Sequence, residues 1–411
     1  MKNSPERSRS EQRTRLEPLL PYLAAFERLL CSQGYAPPTI RLKLRLVRDF
    51  GLWLMERAVG LKDLSAEHAE RYLRHRARHL RPRTDDIVGL RQLLDLLRKK
   101  GMVAQRRVCK QSMPLDRLVD QYALYLREER AVAPVTVALY SRVARGFLAQ
   151  SFGEARLNLS ALRTIDVLTF VQRQAARGSR KTAAYACSAL RSFLDYLRYR
   201  GDVTINLSAA VPTVANWSMP SIPRSIAPDH LRRVLASCNR RSAVGSRDYA
   251  ILLLLARLGL RAGAVVALEL DDVDWQAATL RVRGKGGHAH MLPLPVEVGE
   301  AIAGYLKIGR PISTNRRLFL RSRAPIQGFK SSVAVLSVVR QALIRAGIDP
   351  PSKGAHQFRH ALASEMLRRG ASLLEIGQIL DHRNPQTTAI YAKVDLASLH
   401  TLALAWPGGT R

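Results

Sequence analysis

One pattern occurs twice in the first half of the chain, and any fold must accommodate both copies. Ala36-Pro-Pro-Thr-Ile40 returns as Ala133-Pro-Val-Thr-Val137, and Arg48-Asp-Phe50 returns as Arg145-Gly-Phe147. Leu90-Arg-Gln-Leu-Leu94 returns as Leu190-Arg-Ser-Phe-Leu194, and Leu97-Arg98 with Gly101 as Leu197-Arg198 with Gly201. The offset drifts only from 97 to 100 residues. Apolar positions in the first copy recur at helical spacing: Leu19, Leu23, Phe26, Leu29 and Leu30, then Leu42, Leu46, Val47, Phe50 and Leu54. Pro37-Pro38 breaks the chain, and Thr39 can cap the helix that follows. Further helices are expected from Ala66 to about His79 and from Thr84 to Lys100, the latter ended by Gly101. The reading is two copies of one module of four or five helices, at 15–112 and 113–204. A polar tail at 1–14 is expected to be disordered. A linker at 205–226 carries Pro212, Pro220 and Pro223, which favour an extended strap.

The remainder, 227–411, reads as a mainly helical lobe with one small antiparallel sheet. Arg247-Asp-Tyr-Ala-Ile-Leu-Leu-Leu-Leu-Ala-Arg-Leu258 is apolar nearly all round and is expected to be a buried helix, with Gly259 at its end. Thr279–Arg283 and His288–Leu294 read as two strands around the turn Gly284-Lys-Gly-Gly287. Helices are expected at about 296–307, 331–346, 356–368 and 372–380. With 47% hydrophobic residues in 411, the chain can bury several cores.

Charge narrows the partner. The chain carries 66 basic and 33 acidic residues, a net charge of +33, spread along its length. Such an excess suits a polyanion, because basic side chains that meet phosphates release condensed counterions. Six arginines between Arg71 and Arg83 concentrate it in the first module. No apolar run reaches the length of a membrane span, so no membrane partner is expected. The start lacks the apolar core of a secretion signal. Four cysteines lie far apart without metal-ligand spacing, as in a reducing compartment. A cytoplasmic, nucleoid-associated protein is expected.

The chemistry sits at His356–Tyr391. His356-Gln-Phe-Arg359-His360 is followed by Leu380-Asp-His382-Arg383 and Thr387-Thr-Ala-Ile-Tyr391. His356 and Arg359 are three apart and share a helix face. Arginine's planar fork can donate two hydrogen bonds to one phosphate, and a phenol can attack it. Upstream lie Leu258-Gly-Leu-Arg261 and the glycine-flanked Lys285.

In that order, Arg261, Lys285, His356, Arg359, His382 and Tyr391 resemble the six catalytic positions of the tyrosine recombinase (phage integrase) family, over roughly 225–400. The second module resembles the family's SAM-like core-binding domain, and the first copy departs from the common single-domain arrangement. The resemblance implies that Arg261 and Arg359 neutralise the scissile phosphate. It implies that Lys285 is the general acid for the leaving 5′-oxygen, His356 an acid–base residue and His382 a phosphate donor. Tyr391 would be the nucleophile of a 3′-phosphotyrosyl intermediate. Double-stranded DNA is the implied partner, bound by a tetramer or with related recombinases, for a mobile-element or transposon-type integrase. No metal or cofactor is required. Two positions depart from the family: Ala264 stands where Glu is frequent, and Asp381 where Gly is frequent. His288, His290 and His360 match no catalytic position and are expected to be structural. An apolar tail, Leu396 to Trp406, resembles the segments that dock on a neighbouring subunit. The alternatives are a non-catalytic DNA-binding regulator of the same fold and a type IB topoisomerase.

Overall fold

The computed structural model describes residues 19–81, 83, 85–103, 114–153, 157–214, 225–284, 288–350, 352–382 and 384–394. The expected tail at 1–14, Lys285 and the apolar residues from Leu396 to Trp406 lie outside the described residues. By its internal contacts the chain divides into two units: Arg106–Pro220, and Met1–Gln105 together with Ser221–Arg411.

Both copies of the repeat fold into the same order of elements. The first is α1 (Leu23–Ser32), α2 (Pro37–Glu56), a 3-10 turn at Leu61–Asp63, α3 (Ala66–Arg76) and α4 (Asp86–Lys99). The second is α5 (Pro114–Glu128), α6 (Pro134–Phe152), a 3-10 turn at Leu159–Ala161, α7 (Thr164–Arg177) and α8 (Arg180–Tyr199). Both long second helices start with proline at the first turn, where the missing N–H would have no partner. Their cores use matching positions: Phe26 and Tyr122, Leu30 and Leu126, Phe50 and Phe147, Leu93 and Phe193, Leu97 and Leu197 are all buried. Gly101 (φ 72°) and Gly201 (φ 80°) follow the two last helices in the left-handed conformation that glycine adopts without strain.

The expected arginine stripe is not one surface. Arg76 turns inward and pairs with Asp49 at 2.9 Å and Asp86 at 3.8 Å, tying α3 to its neighbours. Arg74, Arg78, Arg81 and Arg83 remain exposed. Helix α3 ends at Arg76, three residues short of the expected His79, and turns follow. The loop after α1 touches the C-terminal lobe of its unit. The Ile326 N–H donates to the Gln33 carbonyl at 2.8 Å. A Cβ on Gly34 (φ 74°) would lie 2.6 Å from the Ile326 side chain, so only glycine closes this approach.

The C-terminal lobe is built on α10 (Ala243–Arg257), whose leucines 252–255 are all fully buried. Burying each contributes about 1.5–3 kcal/mol. Around it pack α9 (Pro228–Ala236), α11 (Ala262–Ala267), α12 (Val296–Gly304), α13 (Val333–Arg345) and α14 (His356–Arg368), and α15 (Leu373–Ile379) packs on α14. The sheet has three strands in antiparallel order: β1 (Val273–Asp274), β2 (Thr279–Arg283) and β3 (Ala289–Pro293). Strand β1 was not expected; two residues are too short for an alternating pattern, and its pairing of Val273 with Leu280 is tertiary. Buried Asp272 accepts from Arg281 Nε at 2.9 Å and Arg283 Nη1 at 2.7 Å, which clamps the β2–β3 hairpin to the preceding turn.

Candidate active site

Two guanidiniums are seated on consecutive backbone carbonyls. Arg359, 5% exposed on α14, donates from Nη1 to the Gly259 carbonyl at 2.7 Å and from Nη2 to the Leu380 carbonyl. Arg261, at the start of α11, donates from Nη2 to the Asp381 carbonyl at 2.9 Å and from Nη1 to Asp381 Oδ2 at 3.1 Å. Arg359 therefore fastens both the turn that delivers Arg261 and the end of α15 that delivers His382. Gly259 (φ 58°) is required here, because a Cβ would stand 2.8 Å from the Leu380 side chain. Burial and the nearby Arg261 charge push the Arg359 pKa down to about 10, so its charge is retained at neutral pH.

His382 Nδ1 shares a hydrogen bond of 2.8 Å with the Thr388 hydroxyl, which is itself buried. Burial, then the charges of Arg359 and Arg261, push its pKa down to about 4. A neutral imidazole is therefore held among cations. Between about pH 6.5 and 4 the unfolded chain binds a proton at this residue that the folded chain refuses. Stability is thus expected to fall as pH drops through that window. Thermal unfolding at a series of pH values should show a smaller loss of Tm below pH 6.5 for His382→Gln than for the unaltered protein. Parallel curves would remove His382 as the source.

Tyr391 is 1% exposed, packed with Ala363, Ile376 and Leu380. Its hydroxyl lies 2.9 Å from His360 Nδ1. Burial raises its pKa, opposed by Arg359, so the phenol is protonated at neutral pH. His360 is held below the ordinary histidine value by burial, then by His356 and Arg359. A neutral ring nitrogen thus faces the phenol. His360, expected to be structural, is the histidine on the tyrosine hydroxyl. The clue is its spacing, four residues after His356 on one helix face. His356 is exposed, with its ring 6.2 Å from that of His360 between centroids.

A cavity of about 410 Å³ opens beside these groups, lined by Arg261, Arg283, Gly284, His290, Arg359 and Asp381 among others. His290, also expected to be structural, is on its wall. Lys285 follows Gly284 in sequence but lies outside the described residues. The arrangement offers an anion two fixed cations and a neutral imidazole, with a protonated phenol and its hydrogen-bond partner close by.

Comparison with known proteins places the chain in one family. The model of the phage integrase family matches residues 224–397, and that of the phage integrase N-terminal SAM-like domain matches 119–201. The "Putative integrase/recombinase y4rA" of Sinorhizobium fredii is 49% identical over 392 residues, covering 95% of each chain. Tyrosine recombinase XerC of Rhizobium meliloti is 30% identical, covering 67% of this chain and 87% of that one. A lambda integrase tetramer bound to a Holliday junction shares the fold, with a TM-score of 0.53 at 16% identity over 76% of this chain and 87% of that one. On these matches the chain belongs to the phage integrase family as a tyrosine-type site-specific recombinase.

Proposed function

We propose that the chain cuts and rejoins duplex DNA through Tyr391, which attacks a phosphodiester held by Arg261, Arg359 and His382. The observation that carries this is the seating of two guanidiniums on the Leu380 and Asp381 carbonyls, with the buried phenol packed against Leu380. Charge develops on the nonbridging oxygens during attack, and fixed cations aimed there supply the largest single stabilisation. The phenol needs a proton acceptor, and His360 Nδ1 stands at hydrogen-bond distance, with His356 further out on the same helix. Lys285 protonates the departing 5′-oxygen. The bond energy is stored as a 3′-phosphotyrosine with a free 5′-hydroxyl, so rejoining needs no energy source. Because Tyr391 is buried, residues 384–394 must shift when DNA binds.

The strand exchange is read as a tetramer's work, in keeping with the similarity to the lambda integrase tetramer on a Holliday junction. Among the described residues no helix is long and apolar enough to cross a membrane. A nucleoid location follows from the DNA reading. The test is a nicked duplex that traps the intermediate: purified protein should form an adduct that survives denaturant. No adduct on any DNA carrying the element's ends would end this reading.

The first module, 15–112, is read as a holder of flanking DNA that is not needed for phosphoryl transfer. Its exposed Arg74, Arg78, Arg81 and Arg83 suit phosphates. A chain lacking 1–112 is expected to form the adduct at low salt but to bind more weakly, with a salt slope reduced by roughly 0.9 per lost contact. Binding titrations at several salt concentrations decide it; equal slopes would give the module a protein partner instead.

A further inference from the structure

The two departures from the family pattern meet at one arginine. Ala264, Asp381 and Arg261 line the same cavity. Asp381 holds the Arg261 guanidinium twice, by its side chain at 3.1 Å and its carbonyl at 2.9 Å. These contacts take Nη1 and Nη2, the end of the fork. Among the described residues Nε carries no hydrogen bond, so the Nε–Nη2 side of the fork stays open to an anion.

The seat for this carboxylate is built by the fold. Asp381 has φ 51°, the left-handed region that Asp tolerates better than most residues, and this turns its side chain back toward Arg261. From the other side Gly284 makes room: a Cβ there would lie 2.6 Å from Asp381 Oδ2. The clamped hairpin, the end of α15 and the start of α11 thus converge on one carboxylate. Its charge also offsets part of the repulsion between Arg261 and Arg359.

We infer that Asp381 is a positioning residue that orients Arg261 toward the scissile phosphate, supplying from position 381 the carboxylate that holds its fork. This rests on the proposed DNA-cleaving role. A charge-assisted hydrogen bond at one end of a planar fork fixes the direction of its other side. Without it, Arg261 keeps its charge but loses its aim, so DNA affinity is preserved while cleavage slows.

The test is Asp381→Asn, which keeps the shape and the backbone carbonyl. Single-turnover cleavage of nicked DNA at saturating protein is expected to fall about tenfold or more, with affinity within about twofold, as misaimed catalytic groups cost rate before binding. On DNA whose scissile phosphate is a methylphosphonate, one of the two nonbridging oxygens is replaced by methyl and less charge needs Arg261, so the gap between variant and unaltered protein should narrow markedly. In the double variant Asp381→Gly, Ala264→Glu, the restored carboxylate should recover most of the rate lost by Asp381→Gly alone. Unchanged cleavage of ordinary DNA by Asp381→Asn would overturn the inference. An equal defect on both substrates would also overturn it, because it would mark a merely structural residue. If the unaltered protein forms no adduct, the function reading fails instead, and the two failures are told apart by that control.

Discussion

Replacing Tyr391 with Phe is expected to abolish covalent attachment to DNA while leaving DNA affinity within a few-fold. Among the described residues the hydroxyl makes a single hydrogen bond, to His360 Nδ1 at 2.9 Å, and the loss of one such bond costs about 1 kcal/mol. The ring is 1% exposed and packs with Ala363, Ile376 and Leu380; phenylalanine keeps those contacts. Arg261, Arg359 and His382 are held by the Leu380 and Asp381 carbonyls and by Thr388, none of which touches the phenol oxygen. Phosphate binding should therefore survive, while the atom that forms the new bond is gone. Incubation with nicked DNA, followed by denaturing electrophoresis, reads adduct; a filter or gel-shift titration reads affinity. A denaturant-stable adduct from Tyr391→Phe would move the nucleophile elsewhere in the chain.

What could be seen in the sequence follows the range of the forces involved. Helices of the repeat were legible because their causes are local: prolines at Pro37 and Pro134 that open a helix, glycines at 101 and 201 that end one, and apolar residues at helical spacing between them. The buried helix α10 announced itself through a run of four leucines. Arg261, Arg359, His382 and Tyr391 were legible as a set through resemblance, and the structure gathers them around the end of α15. The partners of these groups were not legible. His360 meets Tyr391 across 31 residues and Arg261 meets Asp381 across 120, and no local pattern records such meetings. Arg76 belonged to an apparent surface stripe until Asp49 and Asp86 drew it inward. A periodic pattern shows which face of a helix is polar, but not which of its charges finds a partner.

The hairpin carries the second large effect. Lys285→Ala is expected to slow cleavage of ordinary DNA by about a hundredfold or more, the range of a lost general acid. Lys285 follows Gly284, whose N–H donates to the His288 carbonyl at 2.7 Å and whose Cα faces the Asp381 carboxylate. Asp272 fixes the strand leading to it through Arg281 and Arg283. Gly284 lines the cavity where Arg261 and Arg359 stand. A long, flexible ammonium side chain is suited to delivering a proton to a leaving oxygen. The discriminating measurement replaces the bridging 5′-oxygen with sulfur. A thiolate departs without a proton, since a thiol's ordinary pKa of about 8.5 is far below that of an alcohol. On this substrate Lys285→Ala should cleave within a few-fold of the unaltered protein. If the variant is slowed equally on both substrates, Lys285 acts on the phosphate or on DNA placement, and the acid must be sought among other groups on the cavity wall, His290 first among them.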